Sequence, residues 1–447
     1  MEPAVTGALY TAENLLQGAA ALIKGITHPT LPLTANLTLI TGVPLPRAHH
    51  TISVVKGRAY VFGGESSPGT LADNAMHIVI LPSSGVLDAD YTSIPARPAQ
   101  PGGDVPASRK GHTAVVIGDS IYMFGGEGEG VGNESGRIWV YSTLSNSWSY
   151  LDPAPGTLFP SSRTGHASTS SDLPSPKTVT YHERAPQQPA DPATVVPEPP
   201  EPDTWGTVFV VGGKDTQTGD LLNDALAFDV RTRTWSNIPT PTGPPREGAS
   251  LGLHGTRLYR FGGKGVETQA SGAIDCVDVA PVWMHAEGGT TPLTSGWTWD
   301  DVVHADGTEA PRARSGAGLA GVTTGQGRHY LLLVGGEAEE ASFLDDIWAF
   351  QLPSEKATAA LTKDNIRGGL KRDTHEAKWA EAKYRYVDAR GEEEKEVPGK
   401  PKSGVGKRGA FAVAKGTEVD GASVVVWGGL GEDGSVLSDG WMVTVDR

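Results

Sequence analysis

The sequence of 447 residues contains a single cysteine, Cys276, so the chain cannot form an internal disulfide. It also has no run of about 18 apolar residues, the length needed to cross a bilayer. The first residues lack the basic and apolar regions of a secretory signal peptide. Because these absences are typical of a reducing compartment, we expect a cytoplasmic protein, with the nucleus as the alternative, and no membrane partner.

Charged residues are also scarce, at 20% of the chain, and their balance is acidic. There are 37 Lys and Arg residues against 52 Asp and Glu residues, which gives a net charge of −15. The low charged fraction argues against a coiled coil. The acidic excess argues against a general nucleic-acid-binding protein, which would normally be basic, so no nucleic-acid partner is predicted.

Glycine and proline are abundant, with 58 and 33 residues, about a fifth of the chain against an average of roughly 12%. No Gly-X-Y period is present, which excludes collagen. Apolar residues form short, dense clusters between turn residues. This composition predicts an all-β protein with many tight turns.

A di-glycine ends a short apolar run six times along the chain, at residues 59–64, 121–126, 208–213, 258–263, 330–336 and 424–429. Each run is typical of a buried strand, and the glycines allow a sharp turn or a positive φ. An arginine and a further apolar run precede each unit. A third strand and an aromatic segment, such as residues 235–238 or 384–387, follow most of them. Four strands per unit make one blade of a β-propeller.

The tandem pattern resembles the kelch repeat, an apolar run into Gly-Gly followed by spaced aromatics at a period of about 50 residues. The resemblance covers residues 36–447 and implies a six-bladed kelch-type β-propeller. After Gly429 only one further strand fits, at residues 440–445, so the sixth blade lacks its outer strand. We expect an N-terminal strand at residues 36–40 to close the ring, preceded by a short helical extension over residues 1–35.

Two insertions interrupt the repeat. Residues 171–204 contain nine prolines and are expected to form a disordered loop in the third unit. Residues 353–383 form a second insertion, in blade five, with short helices predicted at residues 357–361 and 374–383. A further helix is predicted at residues 11–24, with an apolar face that we expect to pack on the propeller.

The arginines that precede the innermost strands are the candidate binding residues: Arg47, Arg109, Arg163, Arg246, Arg314 and Arg408. Equivalent positions of a propeller surround its axis, and a guanidinium binds carboxylate or phosphate through paired hydrogen bonds. In kelch adaptors, arginines near this face hold acidic residues of a partner, and the resemblance makes Arg314 the closest match. The alternative is that each arginine pairs with a nearby carboxylate or loop carbonyls and holds its blade together.

Histidines stand three residues after the first three arginines, at His50, His112 and His166. Converging imidazoles could bind a metal ion. The Arg-x-Gly-His motif is ordinary in kelch repeats, however, where the histidine tends to be structural. We therefore predict no metal and no cofactor, and keep the three histidines as candidate ligand contacts.

These features predict a monomeric protein-interaction module, an adaptor or scaffold that binds an acidic protein segment or a small anionic molecule at the arginine face. The alternative is a non-redox enzyme, an isomerase, lyase or cyclase, acting in the channel mouth. A deep pocket lined by His112, His166 and aromatic residues would favour the enzyme, and an open arginine face would favour the adaptor. The Tyr–Cys pair of kelch-fold copper oxidases and the Glu-x3-Asp-x3-His spacing of iron-dependent specifier proteins are not found.

Overall fold

The structure is a computed structural model, and the part of the chain that it describes consists of thirteen segments. These are residues 26–40, 43–82, 90–175, 204–266, 272–286, 297–302, 309–325, 327–339, 342–354, 358–388, 390–393, 403–416 and 422–446. The helix predicted for residues 11–24 lies outside these segments, as do residues 176–203 of the proline-rich insertion. Within the described segments, no helix is long and apolar enough to cross a membrane.

The described residues form strands throughout, with two helices. The strands up to residue 237 are β1 (Thr34–Ile40), β2 (Thr51–Val55), β3 (Arg58–Phe62), β4 (Glu65–Ser67), β5 (Thr70–Leu71), β6 (Met76–Ile80), β7 (Asp90–Ile94), β8 (Thr113–Ile117), β9 (Ser120–Phe124), β10 (Ile138–Ser142), β11 (Ser147–Leu151), β12 (Arg163–Thr164), β13 (Ala167–Ser171), β14 (Thr207–Asp215), β15 (Leu221–Asp229) and β16 (Thr234–Asn237).

The remaining strands are β17 (Ser250–His254), β18 (Arg257–Phe261), β19 (Ile274–Asp278), β20 (Asp300–Asp301), β21 (Gly318–Thr323), β22 (His329–Glu337), β23 (Phe343–Gln351), β24 (Trp379–Glu381), β25 (Lys383–Tyr386), β26 (Ala412–Lys415), β27 (Ser423–Trp427) and β28 (Gly440–Asp446). The helices are α1 (Ala280–Ala286) and α2 (Ala359–Gly369).

Six sheets surround a central axis, five of them antiparallel and the sixth mixed, which confirms the predicted six-bladed propeller. From the axis outward, blades one to five are β2-β3-β6-β7, β8-β9-β10-β11, β13-β14-β15-β16, β17-β18-β19-β20 and β21-β22-β23-β24. Blade six is β26-β27-β28-β1-β25. Each innermost strand contacts the innermost strands of both neighbouring blades, and β26 meets β2, so the ring is closed. Closure leaves the inner strands without a free edge.

The N-terminal strand closes the ring, as predicted. β1 pairs with β28 in antiparallel register, with Leu37 opposite Val443, and both side chains are buried. On its other edge β1 pairs in parallel with β25, which makes a fifth strand in blade six. The assignment of residues 384–387 to the fourth strand of blade five is therefore wrong. β24 takes that place, and because one residue separates β24 from β25, the chain passes directly from blade five to blade six.

The second insertion anchors the segment that leads into β1. α2 begins after Thr358, whose side chain accepts a hydrogen bond from the backbone N–H of Leu361 at 3.2 Å, a normal N-cap. The guanidinium of Arg367 donates to the backbone carbonyls of Ile26 and His28. The single helix Ala359–Gly369 replaces the two short helices predicted at residues 357–361 and 374–383, because residues after 373 turn into β24 instead.

Candidate functional site

One end of the propeller carries the start of each innermost strand and the di-glycine that ends each second strand. We call it the glycine face, and it contains the six predicted arginines. Five of them donate a hydrogen bond from Nη1 to the carbonyl oxygen of the first glycine of their own blade, at 3.0–3.2 Å. The glycines are Gly125, Gly212, Gly262, Gly335 and Gly428, bonded by Arg109, Arg163, Arg246, Arg314 and Arg408 respectively.

The same arginines connect neighbouring blades through their backbone. The N–H of the second glycine in one blade donates to the arginine carbonyl of the next at 2.7–3.0 Å, in the pairs Gly64–Arg109, Gly126–Arg163, Gly213–Arg246, Gly263–Arg314 and Gly429–Arg47. Both glycines of each di-glycine have positive φ. A Cβ atom on Gly64 would lie 2.6 Å from the Cβ of His50, so no larger residue fits there.

Four of the guanidiniums are paired bidentately with a carboxylate of their own blade, at 2.5–3.1 Å. The pairs are Arg109–Glu134, Arg163–Asp224, Arg314–Asp346 and Arg408–Asp439. Arg47 instead contacts His77 at 2.8 Å and lies 3.7 Å from Asp73. All five arginines are buried. Their charges are thus neutralised inside the blades, as expected for buried ions.

In three blades the carboxylate also accepts an indole N–H. Trp139 donates to Glu134, Trp348 to Asp346 and Trp441 to Asp439, at 2.6–2.8 Å. In blades five and six the aspartate stands two residues before the tryptophan. This repeated Asp-x-Trp pattern is the sequence signal that would have identified the arginine partners.

Arg246 is the exception among the six. Blade four has Ala273 at the position that holds an aspartate in three other blades, as the pairing of β18 with β19 shows. The aspartates are Asp224, Asp346 and Asp439, in blades three, five and six. Arg246 donates to the backbone carbonyls of Pro244, Gly262 and Thr242 at 3.1–3.4 Å, and pairs with no carboxylate of the described segments. Its side chain is half-buried at the surface of the glycine face.

The surroundings of Arg246 are cationic. Burial lowers the pKa of Arg246, the neighbouring charge of Arg260 lowers it further, and Asp275 opposes both. Arg260 is itself paired with Asp275, and it shares the carbonyl of Thr242 with Arg246. Asp275 forms its ion pair with Arg260 and acts on Arg246 only through space, so the charge of Arg246 is not paired within the described residues.

Two exposed lysines adjoin the same position. Lys264 forms a backbone bridge with Glu247, the residue after Arg246, and Lys214 follows Gly213, whose N–H donates to the Arg246 carbonyl. Arg246, Lys214 and Lys264 are called the Arg246 site below. Among the six predicted arginines, Arg246 thus lies beside exposed cations and pairs with no carboxylate in the part of the chain that the structure describes.

The three predicted histidines are wedged between blades. The Cε1 atoms of His112 and His166 would lie 2.8 Å from a Cβ on Gly63 and on Gly125, the first glycines of the preceding blades. Their Nε2 atoms hydrogen-bond the hydroxyls of Thr51 and Thr113 at 2.9 and 2.7 Å. His50 is equally buried, but neither of its ring nitrogens has a hydrogen-bond partner in the described segments.

Burial keeps these imidazoles neutral. Burial first, then the charge of Arg47 and His49, lowers the pKa of His50 to about 3. Burial and Arg163 lower the pKa of His166 to about 3, and burial and Arg109 hold the pKa of His112 well below its usual range. Groups with such pKa values are poor proton carriers near neutral pH. Within the described segments, no three His, Cys, Asp or Glu side chains are placed to hold a metal ion.

A cavity of about 320 Å³ lies on the axis at the glycine face. Its rim is formed by the residues two positions after the arginines: His49, Gly111, Gly165, Gly248, Gly316 and Ala410. All six have positive φ, between 50° and 64°. Backbone hydrogen bonds join successive members around the axis, from Gly111 to His49 and from Gly165 to Gly111, for example.

The rim geometry yields a first prediction. Ala410 has a φ of 50° where four other blades have glycine, and a residue with a Cβ atom is strained there. We expect Ala410→Gly to raise the free energy of unfolding by about 1 kcal/mol, as measured by urea denaturation. The reverse change at the equivalent position, Gly248→Ala, should lower it. Loss of stability in the Ala410→Gly variant would contradict this assignment.

Comparisons with known proteins agree on the repeat. The family description "KLHDC2/KLHL20/DRC7 Kelch-repeats domain" matches residues 33–172, and "Kelch motif" matches residues 206–242. Kelch domain-containing protein 3 of Bos taurus is 26% identical over 226 residues, 49% of this chain and 48% of that protein.

An enzyme is also among the relatives. The N-(sulfonatooxy)prop-2-enimidothioate sulfolyase of Thlaspi arvense is 30% identical over 131 residues, 29% of this chain and 34% of the enzyme. The chain thus spans about a third to a half of the length of these two relatives. The solved structure of YjhT aligns with a TM-score of 0.52 at 14% identity, covering 91% of this chain and 99% of that one, which shows the fold alone.

Proposed function

Since this chain is a kelch-repeat β-propeller protein, we propose that it is a protein-interaction module that binds an acidic partner segment at the Arg246 site. The observation that carries the proposal is that Ala273 stands in blade four where three other blades have the aspartate that pairs with their arginine. Four other blades pair their arginine bidentately with a carboxylate, whereas Ala273 leaves the guanidinium of Arg246 with hydrogen-bonding capacity.

The unused donors have the geometry that a carboxylate requires. In Arg163, Arg314 and Arg408, Nη1 donates both to the glycine carbonyl and to an aspartate, and Nη2 donates to the second oxygen of that aspartate. Arg246 keeps the bond to the glycine carbonyl, but Ala273 stands at the position of that aspartate. A partner's Asp or Glu carboxylate would take the vacant place in the same bidentate arrangement.

Long-range charge favours the same partner. Lys214 and Lys264 are exposed beside Arg246, so an anionic segment is attracted before contact and held by more than one cation. The chain as a whole carries a net charge of −15, and against this background the positive charge of Arg246, Lys214 and Lys264 favours the approach of an acidic segment.

The test uses a variant that supplies the missing group. Ala273→Asp restores the aspartate found in blades three, five and six, and we expect it to occupy Arg246. The probe is a fluorescein-labelled hexaglutamate peptide, with hexaglutamine as the uncharged reference, and binding is measured by fluorescence polarisation. We expect both Ala273→Asp and Arg246→Ala to weaken hexaglutamate binding at least 10-fold.

The matched control is Arg257→Ala, which removes a positive charge from the start of β18, at the opposite end of blade four. It should leave the affinity unchanged. Equal binding by wild type and Ala273→Asp, or equal losses in Arg246→Ala and Arg257→Ala, would show that hexaglutamate does not bind at Arg246.

A further inference from the structure

A second concave surface lies on the glycine face between blades two and three. It encloses about 440 Å³ between the glycine-rich loop of blade two and the linker that leads into blade three. Residues that line it include Gly130, Asn133, Arg137, Asp152, Pro153 and Phe159. We call it the blade two–three groove. It shares no residue with the Arg246 site.

One wall of the groove is apolar and exposed. Phe159, which lines the groove, is 52% exposed. Beside the groove, the preceding residue Leu158 is 40% exposed, and Tyr150, which stacks on the lining residue Arg137, is 37% exposed. Large apolar side chains are normally covered, and a cluster of them on one linker is typical of a contact surface. Burying a phenylalanine side chain of this kind contributes roughly 1.5–3 kcal/mol.

The groove is preformed. Gly136 has a φ of 80°, and a Cβ atom there would lie 2.7 Å from the Cδ of Pro160, so loop and linker are in tight contact. The indole N–H of Trp235 donates to the carbonyl of Gly136 at 2.9 Å. The guanidinium of Arg137 stacks 3.8 Å from the centre of the Tyr150 ring. A partner would therefore bind without a large ordering cost.

The positive and negative side chains at the groove differ in solvent exposure. The two guanidiniums are sheltered, since the side chain of Arg109 is fully buried and that of Arg137 is 22% exposed. Asp104 is 65% exposed and Asp152 is 54% exposed, and both pair with Arg137, at 3.5 and 2.7 Å, so that two carboxylates share one guanidinium. Glu129, on the glycine-rich loop, is exposed as well. A partner thus meets negative charge beside an apolar wall, and the complementary segment is basic.

We propose that the blade two–three groove is a second docking surface, which binds a partner segment that carries a Lys or Arg next to a large apolar residue. The apolar residue packs on Phe159 and Pro153, and the cation contacts the exposed side of the Asp104 and Asp152 carboxylates, whose two negative charges are balanced by Arg137 only in part. This site goes beyond the proposed function and does not require Arg246. Together the two sites would recognise a partner with an acidic and a basic-apolar segment.

The experiment selects ligands from a random heptapeptide phage library on the wild-type protein. A selected peptide is then labelled and its affinity measured by fluorescence polarisation. We expect a consensus of one basic residue adjacent to an aromatic or aliphatic residue. Phe159→Ser should weaken binding at least 10-fold. Asp104→Asn should weaken it about threefold and reduce its dependence on salt.

Two controls separate the outcomes. Leu144→Ser removes a side chain that is 74% exposed in the turn between β10 and β11, away from the groove, and should have no effect. Arg246→Ala should have no effect either, so failure here is distinguishable from failure of the acidic site. A consensus without basic residues, or binding that survives Phe159→Ser, would overturn the proposal. Phe159-dependent dimerisation seen by light scattering would do the same in favour of a second copy of the chain.

Discussion

Replacing Arg109 with alanine is expected to lower the free energy of unfolding by about 3–5 kcal/mol. The guanidinium of Arg109 is fully buried and holds Glu134 through two hydrogen bonds and the carbonyl of Gly125 through a third. Its removal leaves a largely buried carboxylate with one remaining donor, Trp139. The uncompensated charge, rather than the lost bonds themselves, accounts for most of the cost.

The matched comparison is Arg246→Ala, which removes the same side chain type from the equivalent position of blade four. Because Arg246 is half-buried and holds no carboxylate of the described segments, we expect a loss of only about 1 kcal/mol. Both values come from urea denaturation of the full chain at pH 7.5. Equal losses in the two variants would show that Arg246 is a structural ion like the others, and would weaken its assignment as a binding residue.

Acidification from pH 7.5 to pH 5.0 is expected to cost about 2 kcal/mol of unfolding free energy for each of His50 and His166. The pKa of both imidazoles is about 3 in the folded protein and about 6.5 when unfolded. Below pH 6.5 these histidines bind protons in the unfolded chain, whereas their buried imidazoles stay neutral in the folded chain. The stabilisation from each neutral histidine is therefore complete above pH 6.5, and it is lost as the pH falls towards 3.

This pH dependence is measured by urea denaturation of wild type and of His166→Gln. The amide of glutamine does not titrate, so the variant should lose about 2 kcal/mol less than wild type between the two pH values. Carboxylates contribute little to the change in unfolding free energy between pH 7.5 and pH 5.0, because their ordinary pKa values lie near 4. If the variant and the wild type fall in parallel, the buried imidazole of His166 is not the titrating group.

The six-bladed ring could be predicted because its signals are local. Each di-glycine has to be glycine, since its positive φ and the close approach of neighbouring backbone or side-chain atoms exclude a Cβ atom, and the motif recurs with every blade. The position of β25 could not be found in this way. Its aromatic pattern suits the outer strand of either blade, and only the long-range pairing with Thr34–Leu37 assigns it to blade six.

The arginines also combine a feature that the sequence shows with one that depends on long-range pairing. Their recurrence was visible in the sequence, but whether each guanidinium was free depended on its partner across the sheet. Asp346 lies 32 residues from Arg314 along the chain, and Asp224 lies 61 residues from Arg163. A blade-by-blade alignment of the third strands would have exposed both the repeated aspartate and its replacement by Ala273.

The pairing of β1 also has a consequence for synthesis on the ribosome. Residues 34–40 are made first, yet their neighbours in the sheet are residues 383–386 and 440–446. At 5–20 residues per second, β1 waits roughly 20–70 s for β25 to be translated. During this interval both edges of β1 lack their native partners, while blades one to four are completed and can assemble. Nascent chains therefore pass through an open ring with an unpaired apolar strand, the stage at which a chaperone would protect this protein most.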